Sequence, residues 1–246
     1  MKMKKLVLLV SVVSLLFPIS VSAEKIVFAT GDWPPYSYKE NGKLTGIDVD
    51  ITTEIYRRLG LEPEFQFLPW KRALHSLKRG SVTGMASLFY SEERTGFAYY
   101  TSSPMYIVKN VLFSRKGSGI KILGTDDLKG RTVAVLPDSV YGPEFDNCKE
   151  IKRMECYDDI TMVKMLDRGR MDLAATQEIT FRFLSRKLGL EDRFETVYTI
   201  SEAKVHIAFS KKAPGQRGKE LTDKFSETLL RLKDEGFIQK VLDKYR

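Results

Sequence analysis

Two stretches of the chain repeat one another, and the repetition narrows the fold before anything else is considered. Leu77-Lys78-Arg79-Gly80 leads into a short apolar segment ending at Ser87, and Leu166-Asp167-Arg168-Gly169 leads into Met171-Asp172-Leu173-Ala174-Ala175-Thr176. With Gly80 laid on Gly169, Ser87 falls on Thr176. Each copy reads as a helix end, a glycine stop and a strand whose C-terminal end carries a hydroxyl. Two α/β lobes of one plan, facing each other, bring both hydroxyls to a shared cleft, and ligands of open α/β sheets bind at such carboxyl ends.

The rest of the chain fits that plan. Lys25 to Thr30 reads as a strand, stopped by Gly31-Asp32 and the turn Trp33-Pro34-Pro35-Tyr36. Asp48 is placed to cap a helix whose Ile51, Ile55 and Leu59 share one face, with Gly60 ending it. Phe65 to Leu68 is a second strand and Trp70 to Leu77 a second amphipathic helix, the alternation that marks a parallel α/β sheet. A second echo, Leu112-Phe113-Ser114-Arg115-Lys116 and Ala208-Phe209-Ser210-Lys211-Lys212, predicts two paired crossing strands. The expected division is therefore a discontinuous first lobe, 24–112 plus 210–246, and an inserted second lobe, 113–209. Gly117-Ser118-Gly119 and Pro214-Gly215 supply the adjacent turns.

The copy containing Ser87 continues through Phe89 and Tyr90 into a helix start at Ser91-Glu92-Glu93-Arg94. A strand feeding a helix N-terminus presents free N–H groups to an anion, and Arg94 adds a bidentate fork for a carboxylate. The alternative is plain capping, with Ser91 as N-cap, Glu93 closing a capping box and Arg94 in solvent. In the inserted lobe, Arg131 to Leu136 runs into Pro137-Asp138-Ser139-Val140-Tyr141-Gly142, the position that faces Arg94 across the cleft. The basic residues Arg182, Arg186 and Lys187 form either a solvated helix face or a partner patch.

Lys2, Lys4 and Lys5 precede an apolar run from Leu6 to Phe17, and Val21-Ser22-Ala23 has the small residues of a cleavage site. Residues 1–23 are expected to be a signal peptide, with the mature protein in the periplasm. Its removal takes three lysines and no acid from a formal charge of +8. The remaining bases are mixed with acids and form no stripe, which argues against a nucleic-acid partner. In an oxidising compartment Cys148 and Cys156 are expected to form a disulfide closing a small loop, the alternative being two buried thiols. With only His75 and His206 elsewhere, neither at ligand spacing to the cysteines, no metal site is expected.

TGDWPPYSY, GKLTGIDVDI, SLFYSEERTGFAYYTSSPMY, DLKGRTVAVL, LDRGRMDLAA and DEGFIQKVLDKY, in this order, resemble the bacterial extracellular solute-binding proteins of family 3. These are periplasmic type II receptors for amino acids and related solutes. The resemblance implies the two-lobed periplasmic binding protein type II fold, an α/β architecture with mostly parallel sheets and two hinge strands. It also implies a monomer without cofactor that traps a small carboxylate-bearing ligand and delivers it to an ABC permease. Carried over by position, Trp33 packs on the ligand, Ser87 and Arg94 hold its carboxylate, and Ser139 lies in a second carboxylate-binding turn. Tyr36, Phe89 and Trp70 enclose a flat or apolar group, and Asp32, Arg72, Tyr141 and Thr176 complete the candidate set.

The sequence departs from the family at the ammonium subsite. Where the family usually has an Asp after the LDRGRMDLAA strand, this chain has Gln177, followed by Glu178. Either Glu178 takes the role, or the ligand is not a standard α-amino acid. Two other functions remain open. One is a dehydratase-type enzyme on the same scaffold, with Glu178 or Asp138 as proton donor; the other is a ligand-sensing partner of a membrane receptor. No activating constellation flanks either acid.

Overall fold

The computed structural model describes residues 26–137, 139–213 and 217–245. The expected signal peptide, Pro214-Gly215 and Asp138 lie outside the described residues. The first lobe begins with β1 (Val27–Thr30), the hairpin β2 (Tyr38–Glu40) and β3 (Lys43–Thr45), and α1 (Ile47–Arg58). β4 (Glu64–Phe67), α2 (Trp70–Arg79), β5 (Gly84–Phe89), the single turn α3 (Glu92–Thr95) and β6 (Ala98–Tyr100) follow. The long strand β7 (Tyr106–Arg115) leads to β8 (Thr132–Val135), α4 (Pro143–Asn147), β9 (Lys152–Glu155), α5 (Asp159–Asp167), β10 (Leu173–Gln177) and α6 (Glu178–Lys187). A second long strand, β11 (Phe194–Ser210), returns the chain to α7 (Arg217–Asp234) and α8 (Phe237–Tyr245).

The strands form one curled sheet in the order β4-β1-β5-β11-β7-β10-β8-β9, with β6 also on β11. From either end the pattern is the same: three parallel strands, then one antiparallel strand. β5 and β10, the strands of the first echo, occupy matching places. Gly80 and Gly169, the glycines that precede them, both have left-handed backbone, φ 77° and 69°, a conformation that only glycine adopts cheaply.

The second echo has a different meaning from the one expected. Leu112 and Phe113 pair with Tyr198 and Thr196 on one side and with β10 on the other. Ala208 and Phe209 pair with Met85 and Gly84 of β5. The two segments therefore do not pair with each other; each is the antiparallel fourth strand of its own lobe. The lobes are joined by the β7–β11 ladder, from Phe194↔Arg115 to Val205↔Tyr106, with register breaks at Thr196/Tyr198 and Thr199/Ser201. Such irregularities bend a strand, and here the chain leaves one core for the other. Tyr106 and Val108 belong to the first lobe's core, whereas Val111 and Phe113 belong to the second's.

In the first lobe, Phe28, Tyr56, Phe209 and Phe225 meet edge-on or tilted at 4.9–5.6 Å, so α7 closes the core that β1 and α1 open. Ile47, Ile51 and Ile55 are fully buried on one face of α1. Asp48 does not cap this helix, whose N-cap is Gly46; the carboxyl is buried instead. Ser91 is the N-cap of α3 but makes no side-chain cap bond, so the capping box is not formed.

The expected disulfide is also absent: Cys148 and Cys156 are free thiols. Cys148 ends α4 and packs with Leu112, Val133 and Val135, whereas Cys156 packs with Val111, Ala134 and Met162. Neighbours alternating along β7 and β8 lie on opposite sheet faces, so the sheet separates the two sulfurs. Burial pushes the Cys156 thiol up, with Asp158 and Asp159 adding to the shift.

Thiol titration should accordingly find two reactive groups in urea, with Cys156 unreactive in the native protein; a single oxidised pair giving no reaction would contradict this placement. A Cβ added at Gly84 would stand 2.5 Å from Phe28 Cε1 and 2.6 Å from the Ala208 carbonyl oxygen. Gly84→Ala is expected to destabilise by roughly 1–3 kcal/mol or more in urea unfolding, the usual range for overpacking.

Candidate ligand-binding site

The carboxyl ends of the parallel strands of both lobes open on one cleft. From the first lobe, β1 delivers Thr30, Asp32 and Trp33, and β5 delivers Ser87, Phe89 and, one turn later, Arg94. They line a cavity of about 560 Å³ together with Trp70. From the second lobe, the segment after β8 delivers Ser139 and Tyr141, β10 delivers Thr176 and Gln177, and the start of α5 delivers Asp158 and Asp159. These line an adjoining cavity of about 460 Å³. Asp32, Trp33, Val140 and Gln177 border both.

Trp33 sits between the lobes. Its ring stacks on Tyr36 at 4.0 Å, Tyr36 stacks on Tyr106 at 5.3 Å, and Phe89 approaches at 5.4 Å. A half-buried indole N–H needs an acceptor, and Trp33 Nε1 donates to Gln177 Oε1 at 2.9 Å across the cleft. Thr180 Oγ1 donates to the Pro34 carbonyl at 3.2 Å beside it. Arg94 Nη1 donates to the Phe89 carbonyl at 3.1 Å, and its guanidinium lies 5.6 Å from the Trp70 ring centroid. Among the described residues no carboxylate pairs with Arg94. The guanidinium also bears on the Tyr100 hydroxyl, and Arg94 borders the cavity that Ser87 lines.

Three carboxylates stand in the same cleft. Asp158 caps α5, accepting from the Thr161 N–H at 2.7 Å. Asp159 accepts from Thr176 Oγ1 at 2.6 Å. Burial pushes the Asp159 carboxyl up, the Thr176 hydroxyl opposes the shift, and the Asp158 charge adds to it. Asp32 is exposed at the mouth. The cleft thus has a cationic corner at Arg94 and an acidic corner at the start of α5.

Three candidate residues are not where they were expected. Tyr36 is fully buried one layer below Trp33 and supports its ring from beneath. Arg72 is exposed on α2 and borders neither cavity. Glu178 turns along α6 to Arg182 at 3.2 Å, and Arg182 also binds Thr196 Oγ1 and lies over Phe113. Paired in this way, Glu178 borders neither cavity. Asp159 was missed because Asp158-Asp159 in the sequence signals only a helix start. Its approach to Thr176 is a tertiary fact.

Residues 26–246 match the bacterial extracellular solute-binding proteins, family 3. The chain belongs to that family. The arginine-binding extracellular protein ArtP of Bacillus subtilis is 28% identical over 233 residues, covering 90% of this chain and 86% of its own length. The L-cystine-binding protein TcyJ of Escherichia coli is 24% identical, covering 89% and 81%. Among solved structures, the unliganded, open L-cystine solute receptor of Neisseria gonorrhoeae has a TM-score of 0.73 at 23% identity, covering 89% and 90%. A histidine kinase sensor domain with similarity to periplasmic binding proteins has a TM-score of 0.67 at 26% identity, covering 90% and 96%. These relatives are binding proteins or sensor domains, and the family's two-lobed fold is the one seen here.

Arg94 gives the folded protein a hydrogen bond to the Phe89 carbonyl, an interaction with the Tyr100 hydroxyl and a half-exposed ring contact. Arg94→Ala is therefore expected to change the unfolding free energy by no more than about 1 kcal/mol, measured by urea denaturation.

Proposed function

We propose that the protein captures an amino acid in the cleft, for delivery to an ABC permease, with the ligand carboxylate on Ser87 and Arg94. The observation that carries this reading is Arg94 itself: a guanidinium bordering a cavity, beside a hydroxyl, without a carboxylate partner among the described residues. A planar fork in a partly dehydrated site selects a planar anion. Trp33, Phe89 and Trp70 would cover the apolar part of the ligand. Its positive end would lie toward Asp159 and Asp158, because Gln177 is already bonded to Trp33. The acidic corner favours an amino acid with a cationic side chain over an acidic one. Relatives that bind arginine, cystine and histidine support the class of ligand.

A thermal-shift and calorimetric panel of L-arginine, L-histidine, L-cystine, L-glutamate and agmatine tests it. A ligand at 100 times its Kd stabilises by about 2.7 kcal/mol, a rise of roughly 5–10 °C for a chain of this size. L-Arginine should give that shift, agmatine, which lacks the carboxylate, should give little, and Arg94→Ala should abolish the response. Equal binding of arginine and agmatine, or normal binding by the Arg94 variant, would remove the carboxylate from this corner.

A further inference from the structure

Behind Ser87 lies an acid that the binding reading does not use. Asp48 occupies the first turn of α1 and has no exposed surface. Its Oδ1 accepts a hydrogen bond from the Tyr106 hydroxyl. Its Oδ2, shielded from water, has no hydrogen-bond partner among the described residues, and the Ser87 hydroxyl lies close enough to the carboxyl to favour its ionised form. Among the described residues no basic side chain pairs with the carboxyl. β7 contributes the Tyr106 phenol, β5 contributes Ser87, and the turn after β1 contributes Tyr36, which lies against Tyr106. The other acid at the start of α1, Asp50, is directed to Lys244 and Tyr245. Arg94, the cation nearest in function, is held by the Phe89 carbonyl and Trp70.

We propose that Asp48 is a positioning residue that sets the direction of the Ser87 hydrogen bond, so that capture of a carboxylate in the cleft is accompanied by uptake of one proton at Asp48. The inference rests on the reading of Ser87 and Arg94 as the carboxylate site. A serine hydroxyl has a single proton to donate. When Asp48 is ionised, that proton goes inward to the carboxylate, and Ser87 shows only lone pairs to the cleft, which repel an anion. When Asp48 is protonated, Oδ2–H donates to Ser87 Oγ, Oδ1 continues to accept from Tyr106, and the Ser87 proton turns outward to the ligand. The proton comes from solvent; no other bond forms or breaks.

Burial holds the Asp48 carboxyl at about 7, against the pull of the Ser87 and Tyr106 hydroxyls. The exchange therefore falls near neutral pH. A ligand carboxylate on the far side of Ser87 favours the protonated form further and raises that value in the complex. Affinity should then be highest below neutrality and fall as pH rises through it, approaching tenfold per pH unit between the free and bound values.

Calorimetric titration of the protein with L-arginine from pH 5.5 to 8.0, in buffers of different protonation enthalpy, tests the coupling. The expected result is a Kd that weakens several-fold from pH 7 to 8, with net proton uptake on binding. Asp48→Asn, whose amide donates to Ser87 at every pH, should lose this slope. Ser87→Ala should bind more weakly and retain only the slope the ligand contributes. Tyr106→Phe, which removes a donor to the carboxylate, should shift the profile to higher pH and serves if the Asn variant does not fold. A wild-type slope matched by Asp48→Asn would overturn the proposal. If arginine binds at no pH, the carboxylate reading fails separately, and carbon NMR of the free protein decides the Asp48 claim. A carboxyl midpoint below pH 5 sinks it, and a near-neutral midpoint that moves in Ser87→Ala supports it.

Discussion

The antiparallel ladder between β7 and β11 is the interaction on which the rest of the molecule depends. Each long strand spends part of its length in one core and part in the other, so a single set of backbone hydrogen bonds fixes the separation of two otherwise independent parallel sheets. Parallel strands must bury both faces, which leaves their carboxyl ends as the places where polar side chains can collect. With the ladder between them, the ends of β1 and β5 meet the ends of β8 and β10. The cleft is thus a product of topology before any of its side chains is chosen.

Within that cleft the charges are sorted rather than paired. Arg94 is held by a carbonyl and an aromatic face, neither of which neutralises it. Asp159 and Asp158 are held by a hydroxyl and a helix N-terminus. Opposite charges kept apart in one partly dehydrated space form a field across the gap that bulk water screens only weakly. Trp33, bonded to Gln177 across the gap, places its ring between the two corners.

Much of this could be read from the residues. The helix-glycine-strand repeat identified two equivalent strands because a left-handed glycine and a buried strand leave strong local marks. The hydroxyls at Ser87 and Thr176 lie at matching positions of β5 and β10 and line the two adjoining cavities, although β5 runs on past Ser87 to Phe89. What failed was whatever depended on the direction of a side chain across space. Glu178 and Gln177 are neighbours in sequence, yet one faces an arginine on its own helix and the other a tryptophan of the opposite lobe. Cys148 and Cys156 are close in number, but a strand carries the chain from one sheet face to the other between them. Asp48 resembled a helix cap because caps are recognised by residue type, and nothing local indicated that Tyr106, from a distant strand, would enclose it.

The helix α6 is shared between the two halves. Ile179 and Phe183 are buried in the first lobe's core, where Phe183 meets Tyr38 at 5.6 Å, while Phe181 stacks on Phe113 of the second at 4.1 Å. Lys187 reaches back to Glu40 at 2.8 Å. A rotation of one lobe about the ladder cannot leave both sets of contacts intact. It must either draw apolar side chains of α6 out of the first core or bend the helix away from the second. The gap can widen only at a cost in oily surface exposed to water. The resting position of the molecule is therefore weighted by solvation as well as by whatever occupies the gap, and denaturants that weaken one half are transmitted through this helix to the other.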